Sequence, residues 1–207
     1  SLRLVLMILA FIACIIIFSI QIFSVDIIFL HNWLANEVFS VIFILLCFLF
    51  IVNGSNLIDG FNGLLGIHLL IINLILFLIN IDNNQLDFLL ILAGQISILI
   101  IFLLFNFPKA KMFLGDSGSY LLGTLTVLNI IKTNNLNPSI SSFFFCILLF
   151  YLFFEVFFSF FRKIYLKKSP LKPDANHLHM LSYRKLKALK QIKDCNYINS
   201  LIVNFIY

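Results

Sequence analysis

Long apolar runs dominate this chain and restrict it to one class of fold. A bilayer-spanning helix needs about 20 mostly apolar residues, and only 11% of the residues here are charged, against about 25% in soluble domains. Six runs qualify: Leu4–Phe23, Val38–Val52, Leu64–Asn80, Phe88–Phe105, Tyr120–Ile131 (short, but extended by Gly115–Ser119) and Ile140–Phe161. The sequence therefore predicts an all-α polytopic membrane protein with about six transmembrane helices, and it excludes a soluble domain.

Basic residues fall almost entirely on one side of the predicted membrane. With Arg3 in the cytoplasm, the links after the second, fourth and sixth runs are also cytoplasmic, and Lys132 is the single exception among 14 Lys and Arg residues. Positive residues accumulate in cytoplasmic loops, so this pattern supports both the span count and the orientation. The basic segment Arg162–Lys193 is predicted to form a cytoplasmic loop and a helix on anionic lipid. No nucleic-acid recognition motif accompanies its charge.

The residues best suited to chemistry lie in the stretch Asn106–Gly123, which falls between two apolar runs and reads NFPKAKMFLGDSGSYLLG. Asp116 lies there among glycines and serines, with Lys109 and Lys111 upstream. A carboxylate in such a turn suits a magnesium-bound phosphate, because the metal takes a carboxylate oxygen and glycine lets the backbone approach closely. The same residues also fit an ordinary helix start with Asp or Ser as the N-cap.

A second polar cluster ends the second run, where Asn53, Asn56, Asp59 and Asn62 recur every third residue. Positions three apart share a helix face, and the neighbouring glycines indicate that the helix breaks within this cluster. Broken helices at membrane depth occur where they line a cavity. The alternative interpretation is a polar loop with Asn and Gly turns.

A third cluster, PDANHLHM, holds His177 and His179 beside basic residues. Without a cysteine or a third histidine it is a weak zinc site, and phosphate binding or proton transfer fits better. Glu155, inside the sixth run, is expected to form a structural ion pair with Lys or Arg. His31 is interpreted as an interfacial residue and His68 as a packed one. All three clusters fall on the predicted cytoplasmic side, which indicates one active site there.

These clusters, in this order, resemble those of the polyprenyl-phosphate N-acetylhexosamine-1-phosphate transferases. Asn53–Leu64 is similar to that family's NxxNxxDGxDGL motif, Phe113–Ser119 to its FxGDxGS motif, and Ser169–His179 to the segment leading into HxHH. Asn62 and Met180 depart from an aspartate and a histidine of the family pattern. The family's earlier aspartate pair is missing from the sequence. We therefore expect 1–207 to be a single transferase domain, the C-terminal portion of a ten- to eleven-span bundle without its first spans.

The resemblance implies transfer of a sugar 1-phosphate from a UDP-sugar to polyprenyl phosphate, with release of UMP, to initiate cell-envelope polysaccharides such as O-antigen. It implies Mg²⁺, or Mn²⁺ as an alternative, with Asp116 as the metal ligand. Phe113 would stack on uracil. The implied catalytic residues are Asp59, Asp116, His177 and His179, and the implied substrate-binding residues are Asn53, Asn56, Phe113 and Lys111.

The partners expected from the resemblance are the UDP-sugar, the polyprenyl phosphate lipid and the membrane, with no nucleic acid and with a homodimer allowed. The expected location is the bacterial inner membrane, with the active site facing the cytoplasm. Two alternatives remain open from the sequence. One is an inactive truncated fragment of such an enzyme, and the other is a transporter-like membrane protein.

Overall fold

A computed structural model describes residues 2–83, 85–167, 169, 176–188 and 195–206. Within these ranges the chain forms ten α-helices and no β-strand. The helices are α1 Leu2–Ile17, α2 Ile28–Leu34, α3 Glu37–Ile58, α4 Leu64–Asn80, α5 Leu86–Asn106, α6 Gly115–Leu136, α7 Ser142–Leu148, α8 Phe150–Tyr165, α9 Leu178–Ala188 and α10 Cys195–Ile206.

Two helices in the described ranges, α3 and α5, are long and apolar enough to cross a membrane individually. A third candidate is the pair α7 and α8, which is bent by 68° at the junction. The apolar part of α1 and all of α4 are shorter, and α6 has polar residues along its 22-residue length. The protein is thus an all-helical membrane protein, while its six crossings stay a prediction.

The helix bounds follow the predicted apolar runs with three differences. The third predicted run coincides with α4, and α6 begins at Gly115 as expected. By contrast, α1 ends at Ile17 and α3 continues through the asparagines to Ile58. The sixth run is broken at Leu149.

The continuation of α3 has a local cause. The side-chain amide of Asn53 donates to the carbonyl of Leu49 at 2.6 Å, one turn earlier in the same helix. An amide satisfied in this way can stay inside an apolar helix. The helix break predicted within the Asn53–Asn62 cluster therefore occurs at Asp59, which follows the last helical residue.

Helix α3 is the central helix, with α6 and α8 both packed against it. A Cβ atom on Gly123 of α6 would lie 2.8 Å from Ser55 Oγ, and one on Gly54 would lie 2.4 Å from the carbonyl oxygen of Leu152 in α8. A Cβ at Gly54 would require the backbone of α8 to move, and one at Gly123 would require Ser55 to shift. Small residues let membrane helices approach closely, and these two allow α6 and the first turn of α8 to pack tightly on α3.

Buried amides connect the remaining helices. Asn129 of α6 donates to Asn73 of α4 at 3.1 Å and to Gln95 of α5 at 2.8 Å. All three residues are buried. Hydrogen bonds of this kind satisfy polar groups away from water and fix the helix register. They hold α4 and α5 against α6, whose first turn carries Asp116.

Candidate functional site

Asn56, near the end of α3, connects two acidic motifs that are 60 residues apart in sequence. Its Nδ2 atom donates to Asp116 Oδ1 at 2.8 Å and to the hydroxyl oxygen of Ser119 at 3.2 Å. The Ser119 hydroxyl in turn donates to the backbone carbonyl of Asp116 at 3.1 Å. Asn56 of α3 therefore holds the side chain that was assigned to metal binding, and Ser119 of the same helix as Asp116 holds its backbone carbonyl.

Asp116 lies in the first turn of α6 and does not cap it. The N-cap position is Leu114, which makes no side-chain capping bond. The alternative prediction of an Asp or Ser N-cap is therefore wrong, although a helix does start at this turn. A carboxylate in the first turn is stabilised by the helix dipole, and Asp116 is exposed enough to meet a ligand.

Asp59 follows the last residue of α3 and is half-buried. Burial and, to a smaller extent, the neighbouring negative charge of Asp116 together raise the pKa of its carboxyl group to about 6. Both effects disfavour the ionised form. The two acidic residues predicted from separate motifs thus lie close enough to repel each other.

The two carboxylates fit a metal site that a substrate completes, and they do not fit one built from protein ligands alone. Within the described ranges, no group of three or more His, Cys, Asp or Glu side chains is placed to hold a metal. A cation bound by protein atoms alone, such as structural zinc, does not fit this arrangement. Mg²⁺ is commonly held by one or two carboxylates with substrate phosphates completing its shell. Asp59 and Asp116 fit that donor set.

The turn that carries Asp59 is fixed from two directions. The backbone N–H of Asn62 donates to Asn196 Oδ1 in α10 at 2.8 Å, and its side-chain amide donates to the carbonyl of Pro108 at 2.9 Å. The N–H of Gly63 donates to the buried side chain of Asn106 at 2.6 Å. Asn62 therefore orients the turn, and this explains how an Asn serves at that position of the motif.

Glu155, His177 and His179 form a buried cluster next to this turn. Nδ1 of His177 lies 3.0 Å from Glu155 Oε2, and Nδ1 of His179 lies 3.1 Å from Oε1. The backbone N–H of Leu178 donates to Oε1 at 2.9 Å. The structure thus gives Glu155 histidine partners in place of the predicted Lys or Arg, because the segment after α8 folds back onto that helix.

His179 connects the histidine cluster to the turn after α3. Its Nε2 atom is buried and has no hydrogen-bond partner among the described residues. A Cβ placed on Gly60 would lie 4.0 Å from this atom, and the ring of Phe61 contacts the imidazole edge-on with centroids 5.6 Å apart. The structure therefore brings His179 beside the residue that follows Asp59.

The remaining predicted residues differ in how exposed they are to solvent. Phe113 is 74% exposed and Lys111 is exposed, and both stand in the link that leads into α6. The Asn53 amide is engaged with its own helix. The substrate-binding roles of these three residues stay predictions. Asp174, in the motif that holds the histidines, lies outside the described residues.

Two supporting residues were not singled out from the sequence. The hydroxyl of Tyr151 lies 3.2 Å from His179 Nδ1, and Asn199 donates to the His179 carbonyl at 2.9 Å. Tyr151 precedes Glu155 by four residues, so helical periodicity alone could have placed both on one face. Asn199 belongs to α10 and carries no local signal, since its contact depends on how α10 packs.

Fold and site together define a class of protein, a helical membrane protein with an acidic and histidine-containing centre at helix ends. Residues 1–134 match glycosyl transferase family 4, a range that includes both acidic motifs but not the histidines. The chain belongs to glycosyl transferase family 4.

Curated relatives agree with this assignment. The chain is 32% identical to the undecaprenyl-phosphate alpha-N-acetylglucosaminyl 1-phosphate transferase of Thermotoga maritima, over 73% of this chain and 46% of the relative. It is 40% identical to the phospho-N-acetylmuramoyl-pentapeptide-transferase of Streptococcus mutans, over 42% of this chain and 26% of the relative. The corresponding enzyme of Leuconostoc mesenteroides is 44% identical over 34% of this chain and 22% of the relative. The chain thus spans less than half the length of these relatives.

Proposed function

We propose that this chain contributes the catalytic centre of a transferase that moves a sugar 1-phosphate from a UDP-sugar to a polyprenyl phosphate. The observation that carries the proposal is the Asn56–Asp116 hydrogen bond, which joins the two acidic motifs into one centre. The names of the relatives, which describe phosphosugar transfer to undecaprenyl phosphate and phospho-N-acetylmuramoyl-pentapeptide transfer, support the same chemistry. An N-acetylhexosamine is the proposed sugar.

The proposed reaction exchanges one phosphoanhydride for another. An oxygen of the lipid phosphate attacks the phosphorus attached to the sugar, and the bond from that phosphorus to the bridging oxygen breaks. UMP leaves with the bridging oxygen, and the product is a polyprenyl diphosphate sugar. No carboxylate is needed to deprotonate the nucleophile, because a phosphate monoester is already largely ionised at neutral pH.

Both substrates are anionic, so two carboxylates alone would repel them. Asp116, held by Asn56, and Asp59, at the end of α3, are the residues that would hold Mg²⁺, with Mn²⁺ as an alternative ion. When bound, the cation would neutralise the diphosphate oxygens and the charge that develops on the departing phosphate. The side chains of this chain position the reacting phosphate groups, and they take little part in covalent chemistry.

The other polar residues are assigned to binding. His177 and His179 would bind the diphosphate, and Lys111 would attract anions to the site. Phe113, which is 74% exposed, is free to stack on a uracil ring. We place the site on the cytoplasmic face of the bacterial inner membrane, because the basic residues collect on that side of the predicted topology.

The test separates nucleotide binding from turnover. The chain is reconstituted with polyprenyl phosphate, and UMP release from UDP-N-acetylglucosamine is measured with Mg²⁺, beside binding of UDP alone. Asp116→Asn should lower UMP release by at least about 100-fold, since one preorganised electrostatic group at the reacting phosphate is removed. Asp82→Asn is the matched control, at an exposed carboxylate between α4 and α5. It should change neither UMP release nor UDP binding. Equal release by Asp116→Asn and the parent chain would remove the metal role.

A further inference from the structure

Glu155 accepts three hydrogen bonds inside the protein although it lies in the apolar helix α8. Its side chain is fully buried, and its contacts come from His177 Nδ1, His179 Nδ1 and the Leu178 N–H, at 3.0, 3.1 and 2.9 Å. An ionised carboxylate accepts hydrogen bonds and cannot donate them. Each Nδ1 atom that faces it must therefore carry a proton.

The two imidazole rings are held in matching orientations. They are parallel within 3°, with centroids 5.5 Å apart. The partner of one ring nitrogen decides the role of the other. With Nδ1 committed to Glu155, the atom of His179 left for a ligand is Nε2, which is buried and faces the turn at Gly60. Within the part of the chain that the structure describes, this atom has no hydrogen-bond partner.

We infer that Glu155 is a positioning residue, which fixes His177 and His179 with Nδ1 protonated and thereby presents Nε2 of His179 to the substrate diphosphate. In its neutral form this ring offers a lone pair at Nε2, whereas in its protonated form it offers an N–H to a phosphate oxygen. A buried imidazolium needs a counter-charge, and Glu155 already supplies one. The inference rests on the proposed function for the identity of the ligand.

Two further contacts keep His179 from changing its orientation. The Tyr151 hydroxyl lies 3.2 Å from Nδ1, on the same side of the ring as Glu155, and Asn199 holds the backbone carbonyl at 2.9 Å. A flip of the ring about its Cβ–Cγ bond would break the contacts of Nδ1 with Glu155 and Tyr151, and the Asn199 bond fixes the backbone from which the ring extends. The free Nε2 atom is therefore a fixed feature of the site rather than one of two alternatives.

Nitrogen-15 NMR of the histidine rings tests this directly, because the chain has only four histidines. In the full chain without substrate, Nδ1 of His177 and of His179 should both carry a proton. Free imidazole side chains prefer the opposite tautomer, with the proton on Nε2, so the expected spectrum differs from the default. An Nε2–H tautomer at either residue, with Nδ1 unprotonated, would overturn the inference.

Variants at Glu155 then identify the cause. Glu155→Leu removes the acceptor, and both rings should lose the Nδ1 preference. Glu155→Asp keeps a carboxylate and should retain Nδ1 protonation on at least one ring. His31 is exposed in α2 and lies outside this cluster, so its signals should not change in either variant. If Nδ1 stays protonated on both rings in Glu155→Leu, the role of Glu155 is overturned. If the Leu variant does not fold, the spectra of the parent chain and of Glu155→Asp decide the question.

Added UDP with Mg²⁺ separates this inference from the proposed function. If both hold, UDP should move the Nε2 signal of His179 in the parent chain, and Glu155→Leu should reduce that change at least about tenfold, since residues that orient a ligand typically matter by about 10–100-fold. A parent chain with Nδ1 protonated but no response to UDP would keep the positioning role and refute the nucleotide substrate. A UDP response that is unchanged in Glu155→Leu would refute the positioning role and leave the proposed function standing.

Discussion

Replacing Asp59 by Asn should stabilise this protein at neutral pH in the absence of divalent cations. The carboxyl group follows the last residue of α3, and its pKa is raised to about 6, first by burial and then by the charge of Asp116. Because the native pKa lies above the ordinary value of 3.8, the native state binds the proton more tightly than the unfolded state. The free energy of unfolding therefore decreases as pH rises through this interval and is constant above it.

The size of the effect follows from the shift. A shift from 3.8 to about 6, at about 1.4 kcal/mol per pKa unit, gives an upper value of about 3 kcal/mol. Asp59 is half-buried, and solvent screening reduces such energies, so we expect about 1–2 kcal/mol. Asn has nearly the same shape as a protonated Asp and carries no charge, so Asp59→Asn should recover this amount above about pH 6.

The assay is equilibrium unfolding in mixed micelles with EDTA, followed by circular dichroism, at about pH 4 and about pH 7. The parent and the variant should be nearly equal at the lower pH, and the variant should be more stable at the higher one. The control Asp82→Asn removes an exposed carboxylate far along the chain. It should change the free energy of unfolding by less than about 0.5 kcal/mol at both pH values. A variant no more stable than the parent at about pH 7, or a difference independent of pH, would refute the reasoning.

Two further predictions concern packing around α3 and α6, measured by the same unfolding assay. Gly54→Ala should destabilise the protein by about 1–3 kcal/mol, because its Cβ would lie 2.4 Å from the Leu152 carbonyl oxygen. Gly94→Ala, which meets no atom within 4 Å, should be neutral or stabilising by up to about 1 kcal/mol; equal losses in both variants would contradict the close crossing. Asn129→Leu should cost about 1 kcal/mol, since it removes two interhelical hydrogen bonds whose individual values in membranes average about 0.6 kcal/mol. No loss in that variant would show that the buried amides do not hold these helices together.

Apolar run length was a good guide where polar breaks are unambiguous. The bounds of α4 were predicted to the residue, since Gly63 precedes it and a polar link follows it. The end of α3 was predicted less well, because asparagine favours turns but can also bond back to its own helix, as Asn53 does. The residue types alone are compatible with both conformations and did not decide between them.

The break between α7 and α8 could not be predicted from residue types. Neither proline nor glycine stands at Leu149, although these residues cause most sharp kinks. The residue types at the junction therefore do not explain the bend. The same limit applies to Glu155, whose partners lie 22 to 24 residues away and meet it only because the chain folds back.

The proximity of the two acidic motifs was expected from the sequence, whereas the roles of the site residues stay predictions. The two acidic motifs were recognised from residue types at fixed spacings, and the contact between Asn56 and Asp116 agrees with that expectation. What the motifs could not reveal is the orientation of each side chain. Asn62 serves to fix the turn, and His179 directs Nε2 toward Gly60. These roles follow from contacts made by α10 and α8.

The central claim is that the turn after α3, the start of α6 and the histidine segment form one site around a divalent cation. Mn²⁺ added to histidine-labelled protein tests it most directly, because a paramagnetic ion broadens NMR signals only nearby. His177 and His179 should broaden, whereas His31, which precedes the 22-residue helix α3 and is thus about 30 Å from its far end, should not. Asp116→Asn should abolish the broadening. Equal broadening of His31, or broadening that persists in Asp116→Asn, would contradict the account.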